Sequence, residues 1–176
     1  MAPVTRGWQS ASVDTGRVPS LQLSESIVVR ASPEAVYDLV SDVTRTGEWS
    51  PQCRACWWEE GATGAVGDHF GGRQETAERT WETRSRVEEA DRPSAFAWSV
   101  NDRKVFWRYD LEPVEGGTRL TESWEFADAG QEFMTQKYGP GAEGEIRTRQ
   151  EAARSGIPVT LAAIKAIAET GPVGPA

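Results

Sequence analysis

The stretch VFWRYDLEPVEGGTRLTESWEF, residues 105–126, decides the fold. Val105, Trp107, Tyr109 and Leu111 share one face at a period of two, and Leu120, Trp124 and Phe126 share another. Between the two runs lies Glu115-Gly116-Gly117, a turn signal. Two alternating runs around such a turn read as an antiparallel hairpin with one buried and one wet face. Arg119, Thr121, Ser123 and Glu125 take the wet face of the second strand, and Arg108 and Asp110 alternate outward to solvent in the first. Position 122 alone breaks the apolar set. Slipping the register by one residue would expose Leu120, Trp124 and Phe126 together, so burial pins Glu122 to the inner face.

Upstream, the same cadence continues. Residues 53–127 read as about six strands, with turns at Gly61–Gly67, Asp91-Arg92-Pro93 and Asn101-Asp102. Phe96, Trp98 and Val100 form an inward set, and Trp81, Thr83, Ser85 and Val87 alternate with the charged Glu82, Arg84, Arg86 and Glu88. A first strand spans Leu21–Arg30. After it, Ser32-Pro33-Glu34 opens a short helix, with Ser at the N-cap, Pro at the first helical position and Glu in the first turn. A second short, broken segment covers Thr44–Trp49. Downstream, four Gly and one Pro within 128–144 read as a long loop. Ile157, Leu161, Ile164 and Ala168 then fall at helical spacing, giving one long helix over 146–169 with a kink or break at Pro158.

Composition bounds the rest. The 176 residues carry 19 basic and 27 acidic side chains, a formal charge of −8. Leu, Ile, Val and Phe are scarce, but eight Trp supply the apolar area that a folded core needs. The length suits one domain: an arm over 1–20, a folded unit over 21–170 and a loose tail over 171–176. No stretch approaches the ~18 apolar residues of a membrane span, and no signal-peptide core is present. A cytoplasmic protein is the expectation. The acidic balance disfavours nucleic acid.

Candidate sites follow from the strand faces. Glu122, a carboxyl aimed inward, reads either as a general acid/base or ligand anchor, or as one half of a buried hydrogen bond or ion pair. Gln74, in phase with Phe70, is a second inward polar group. Trp49, Trp58, Trp81, Trp98, Trp107 and Trp124, with the hydroxyl of Tyr109, form either core or a ligand wall, and Leu161 faces them from the helix stripe. Cys53-Arg-Ala-Cys56 lies on a strand, where residues i and i+3 point to opposite faces; this predicts two reduced, unpaired thiols without metal. His69 reads as an outward-facing strand residue, without the elbow of a hydrolase nucleophile beside it. Gly71-Gly72 reads as a bend or bulge.

Four phrases in order, SPEAVYDLVSDV (32–43), GEWSP (47–51), WRYDLEP (107–113) and GGTRLTESWE (116–125), resemble the START-like helix-grip (SRPBCC) superfamily in its polyketide cyclase/dehydrase-like branch. The resemblance covers about residues 21–170. It implies an α+β fold: a curved seven-stranded antiparallel sheet wrapped around a long C-terminal helix, with two short helices after the first strand and a hydrophobic-ligand cavity between. Fold does not choose the activity. A binder of a small hydrophobic or aromatic, polyketide- or lipid-like molecule, an aromatase/cyclase-type lyase or isomerase using Glu122, and an interaction module with a filled cavity all stay open, as does a homodimer. No cofactor is expected.

Overall fold

A computed structural model describes residues 21–170; the expected arm at 1–20 and tail at 171–176 lie outside the described residues. The element order is β1 (Leu21–Val29), α1 (Pro33–Ser41), a 3₁₀ turn (Val43–Glu48), β2 (Cys53–Trp58), β3 (His69–Glu75), β4 (Thr80–Asp91), β5 (Ala95–Val100), β6 (Val105–Val114), β7 (Gly117–Phe126), α2 (Asp128–Tyr138) and α3 (Ala142–Thr170). All seven strands form one sheet in the order β1-β7-β6-β5-β4-β3-β2, every pairing antiparallel. The helix-grip expectation is met.

The hairpin that decided the fold is built as its alternation dictates. Tyr109 pairs with Glu122, Leu111 with Leu120 and Trp107 with Trp124. Thr118, Leu120, Glu122, Trp124 and Phe126 are all buried on one face of β7. The helix α1 starts where the sequence places it, the Ser32 hydroxyl accepting the Ala35 N–H at 3.2 Å. From α3, Ala153, Ile157, Thr160, Leu161 and Ile164 form the buried stripe. Its four apolar members share one core with Val36, Leu39 and Val40 of α1 and with Leu120, Trp124 and Phe126 of the sheet. Burying an Ile or Leu of this kind stabilises the fold by about 1.5–3 kcal/mol. Lys165 Nζ donates to the Val28 carbonyl at 2.6 Å, and Glu169 accepts from the Arg30 N–H at 2.8 Å. These bonds tie α3 along the β1 edge of the sheet.

Two expectations are corrected here. The segment 128–144 is not a loop. It holds α2, a 3₁₀ turn over Gly139–Gly141 and the start of α3. Its glycines have separate roles: Gly130 packs against the Phe126 ring and the Lys104 carbonyl, while Gly139, at φ 52°, ends α2. Only glycine takes that left-handed turn without strain. Nor does α3 break at Pro158, for the helix is continuous from Ala142 to Thr170. Pro158 lies on the exposed face, so the Arg154 carbonyl it leaves without a helical partner can be hydrated.

Candidate functional site

At the centre of the concave face, β7 presents Glu122 and β6 presents Tyr109 as a directly opposed pair. The Tyr109 hydroxyl donates to Glu122 Oε1 at 3.4 Å, and the Trp49 indole, carried at the end of the 3₁₀ turn, hydrogen-bonds that hydroxyl. Glu122 is 3% exposed, Tyr109 3% and Trp49 4%. Oε2 of Glu122 is buried and has no hydrogen-bond partner among the described residues. Among the described residues no arginine or lysine pairs with it. Burial therefore governs its charge: desolvation pushes the Glu122 carboxyl up to about 8, against a smaller downward pull from the Tyr109 hydrogen bond. Burial and the neighbouring carboxyl raise Tyr109 well above the ordinary tyrosine range. At neutral pH the carboxyl is mostly a neutral acid, able to donate its O–H to a carbonyl or to pass on a proton.

Aromatic rings lead from the surface to this acid. Trp58 meets Phe70 edge-on with centroids 5.5 Å apart, Phe70 is 6.4 Å from Trp98, and Trp98 is 5.6 Å from Tyr109. Trp98 also stacks on Trp107 at 6.4 Å and 13°. Trp124, buried, lies between Trp107 and Phe126, 6.0 Å from the latter. Trp58, Trp98 and Trp107 are half-buried, and Phe70, Tyr109 and Trp124 are buried, so exposure falls toward Glu122. Leu161 of α3 is 2% exposed within the same core. At the outer end, Trp58 also lines an open groove of about 540 Å³ with Tyr37, Asp38, Ala65, Ala90 and Arg92.

Trp81, of the expected wall, and the inward polar Gln74 pair with each other toward the β2–β3–β4 end of the sheet. Trp81 is outside the core cluster and is covered by the Arg79 guanidinium, 4.5 Å from its ring. Gln74 pairs with Cys53 and hydrogen-bonds its sulfur, at the β2–β3 end of the sheet.

The cysteine expectation is corrected at this place. Pairing of β2 with β3 shifts register between Cys53 and Ala55. This bulge adds a residue and re-aims the chain, so Cys53 and Cys56 fall on one side with their sulfurs 3.2 Å apart. Both are free thiols. The bulge lies in β2 and not at Gly71-Gly72, whose partners in β4 run without a shift. These glycines instead make room: a Cβ at Gly71 would overlap the Trp57 ring, and one at Gly72 would crowd Gln74 Nε2 and Thr83 Oγ1 at 3.1 Å and Cys56 Sγ at 3.3 Å. Among the described residues no group of three or more His, Cys, Asp or Glu is placed to hold a metal ion.

On the convex face, Arg108 points outward as expected but is not solvated. Its side chain is 11% exposed and pairs with Glu89 and with Asp110, the latter at 2.7 Å. Glu88, 7% exposed, accepts from Ser99 at 2.7 Å and from Arg86 and Arg103 at 2.8 Å each. No feature of the sequence pattern separates this ionic patch from an ordinary wet face.

The family described as polyketide cyclase/dehydrase and lipid transport matches residues 20–154. Among solved structures, the chain is similar to a polyketide-cyclase-like protein from Corynebacterium glutamicum, with 53% identity, a TM-score of 0.65, and 85% of this chain and 91% of that one covered. It is also similar in fold to two di-domain ARO/CYC proteins. StfQ, of the steffimycin biosynthetic pathway, is 13% identical with a TM-score of 0.65, covering 85% of this chain and 51% of that one. BexL, of the BE-7585A pathway, is 16% identical with a TM-score of 0.63, covering 87% and 51%. No curated protein matches the chain.

Proposed function

The chain belongs to the polyketide cyclase/dehydrase and lipid transport family, and from that premise we propose that it binds a small aromatic molecule bearing a carbonyl group, with Glu122 as the polar anchor. The observation that carries this reading is the Glu122 Oε2 atom, buried without a partner among the described residues at the inner end of the aromatic rings. A polar atom left unpaired in an apolar interior costs about 1–3 kcal/mol, a cost that a ligand acceptor placed against it would remove. The rings suit a flat apolar body, because stacked and edge-on contacts add to the burial of area. The groove beside Trp58 is the entrance, and Phe70, Trp98 and Tyr109 line the way inward. Glu122, protonated at neutral pH, donates to the ligand carbonyl while Tyr109, itself held by Trp49, fixes its other oxygen.

The test is a titration with 2-acetonaphthone followed by tryptophan fluorescence. Wild-type affinity is expected to weaken about tenfold between pH 6 and pH 9, as one donated hydrogen bond of about 1.4 kcal/mol is lost. Glu122→Gln, which keeps a neutral donor, binds without that pH dependence, and Glu122→Leu binds about tenfold more weakly at pH 6. Wild-type affinity that does not change with pH, or full affinity in Glu122→Leu, overturns the assignment.

A further inference from the structure

The β2 bulge creates a second chemical group that the ligand site does not use. Cys53 is 4% exposed and Cys56 is half-buried, so the pair is reached from the Cys56 side. Their sulfurs, 3.2 Å apart, need close by only about 1 Å to reach bonding distance. We propose that Cys53 and Cys56 form a reversible redox site, a dithiol that a small peroxide converts to an intrachain disulfide.

Polarity around the pair assigns the roles. Either sulfur can donate to the other, and Cys53 also donates to the Ala55 carbonyl at 3.5 Å and meets the Gln74 side-chain amide. The Cys56 contact first, then Gln74, pulls the Cys53 thiol down to about 7 against the opposing effect of burial. Cys56, half-buried, is pushed up by its contact with Cys53 and by desolvation, and is held protonated. Cys53 is therefore the nucleophile and Cys56 the resolving thiol. The Cys53 thiolate attacks one peroxide oxygen, the O–O bond breaks, and the departing hydroxide takes up a proton to leave as water. Cys53 is then a sulfenic acid. Cys56 Sγ attacks Cys53 Sγ, the S–O bond breaks, and hydroxide leaves with the Cys56 proton as a second water. Together the two cysteines give up two electrons, and the peroxide is reduced to two waters. A thiol reductant reverses the change.

The chain has only these two cysteines, so the whole protein reports on the site without ambiguity. The full chain is treated with hydrogen peroxide at pH 7, folded and in urea, and followed by intact mass and by free-thiol titration. In the folded protein both thiols are expected to disappear together, with a mass loss of about 2 Da that dithiothreitol restores. In urea, where the bulge no longer holds the sulfurs together, closure is expected to be at least about tenfold slower. Cys56→Ser, lacking the resolving thiol, stops at a sulfenic acid on Cys53 that dimedone traps. Two thiols surviving in the folded protein, a mass gain from stepwise over-oxidation in place of the loss, or equal rates folded and unfolded would each overturn the proposal.

Discussion

Glu122 holds its proton because the surrounding residues remove water from the carboxyl without supplying a cation. Its folded value, about 8, lies above the 4.5 of a free glutamate. The folded state therefore binds a proton that the unfolded state has released between those two values, and folding stability falls as pH rises through the interval. Below pH 4.5 both states are protonated and the contribution of this group is fully present; above pH 8 it is lost. The slope from this one side chain is at most ~1.4 kcal/mol per pH unit. Thermal melts of the wild type are accordingly expected to show a falling Tm from about pH 5 to pH 8, and Glu122→Gln to flatten that fall. An identical pH profile in the variant would mean that another group sets the dependence.

Elements that look unpromising one residue at a time are held by the surfaces they meet. In α2, no side chain caps the N-terminus, and the buried positions are only Gly130 and Met134. Its helix survives because Gly130 lets the backbone approach the Phe126 ring and the Lys104 carbonyl, where a Cβ would stand 2.5 Å from the carbonyl oxygen. Phe126 is fully buried and Lys104 contributes backbone, so neither yields readily. Gly130→Ala, a gain in helix propensity, should nevertheless destabilise the protein by about 1–3 kcal/mol through overpacking. Urea denaturation measures this; an increase in stability would show that α2 is not seated through Gly130. The β2 bulge follows the same logic in reverse, since a one-residue shift in pairing turns an ordinary CxxC into a close sulfur pair.

Over the whole molecule, two electrostatic effects oppose each other. Ion pairs dot the surface, among them Arg45–Glu48, Arg84–Glu59 and Arg92–Asp38, with side chains 39% to 60% exposed. Exposed pairs of this sort are worth about 0–1 kcal/mol each and weaken with salt. Against them stands a net charge of −8, whose self-repulsion salt relieves. Because each exposed pair is worth so little, repulsion is expected to be the larger effect, with the Tm at pH 7 rising by a few degrees from about 0.01 M to about 0.15 M NaCl, as the Debye length shortens from about 30 to about 8 Å. A falling Tm would show that the pairs dominate. What the sequence determined by itself is the set of features that depend on local period and chain-neighbour chemistry. These are the β6–β7 register, the inward Glu122, the Ser32 cap, the α3 stripe and the order of elements that its family shares. The features that only the tertiary structure decided arise where distant segments meet. They are the α2 helix seated on Phe126, the unbroken α3 with Pro158 turned to water, the place of Trp81 outside the core under Arg79, the contact of Gln74 with Cys53, the shielding of Arg108 and the pairing of Cys53 with Cys56. A period of two or of 3.6 assigns a side chain to a face, but a bulge, a covered charge or a close helix contact depends on the surface opposite, which lies elsewhere in the chain.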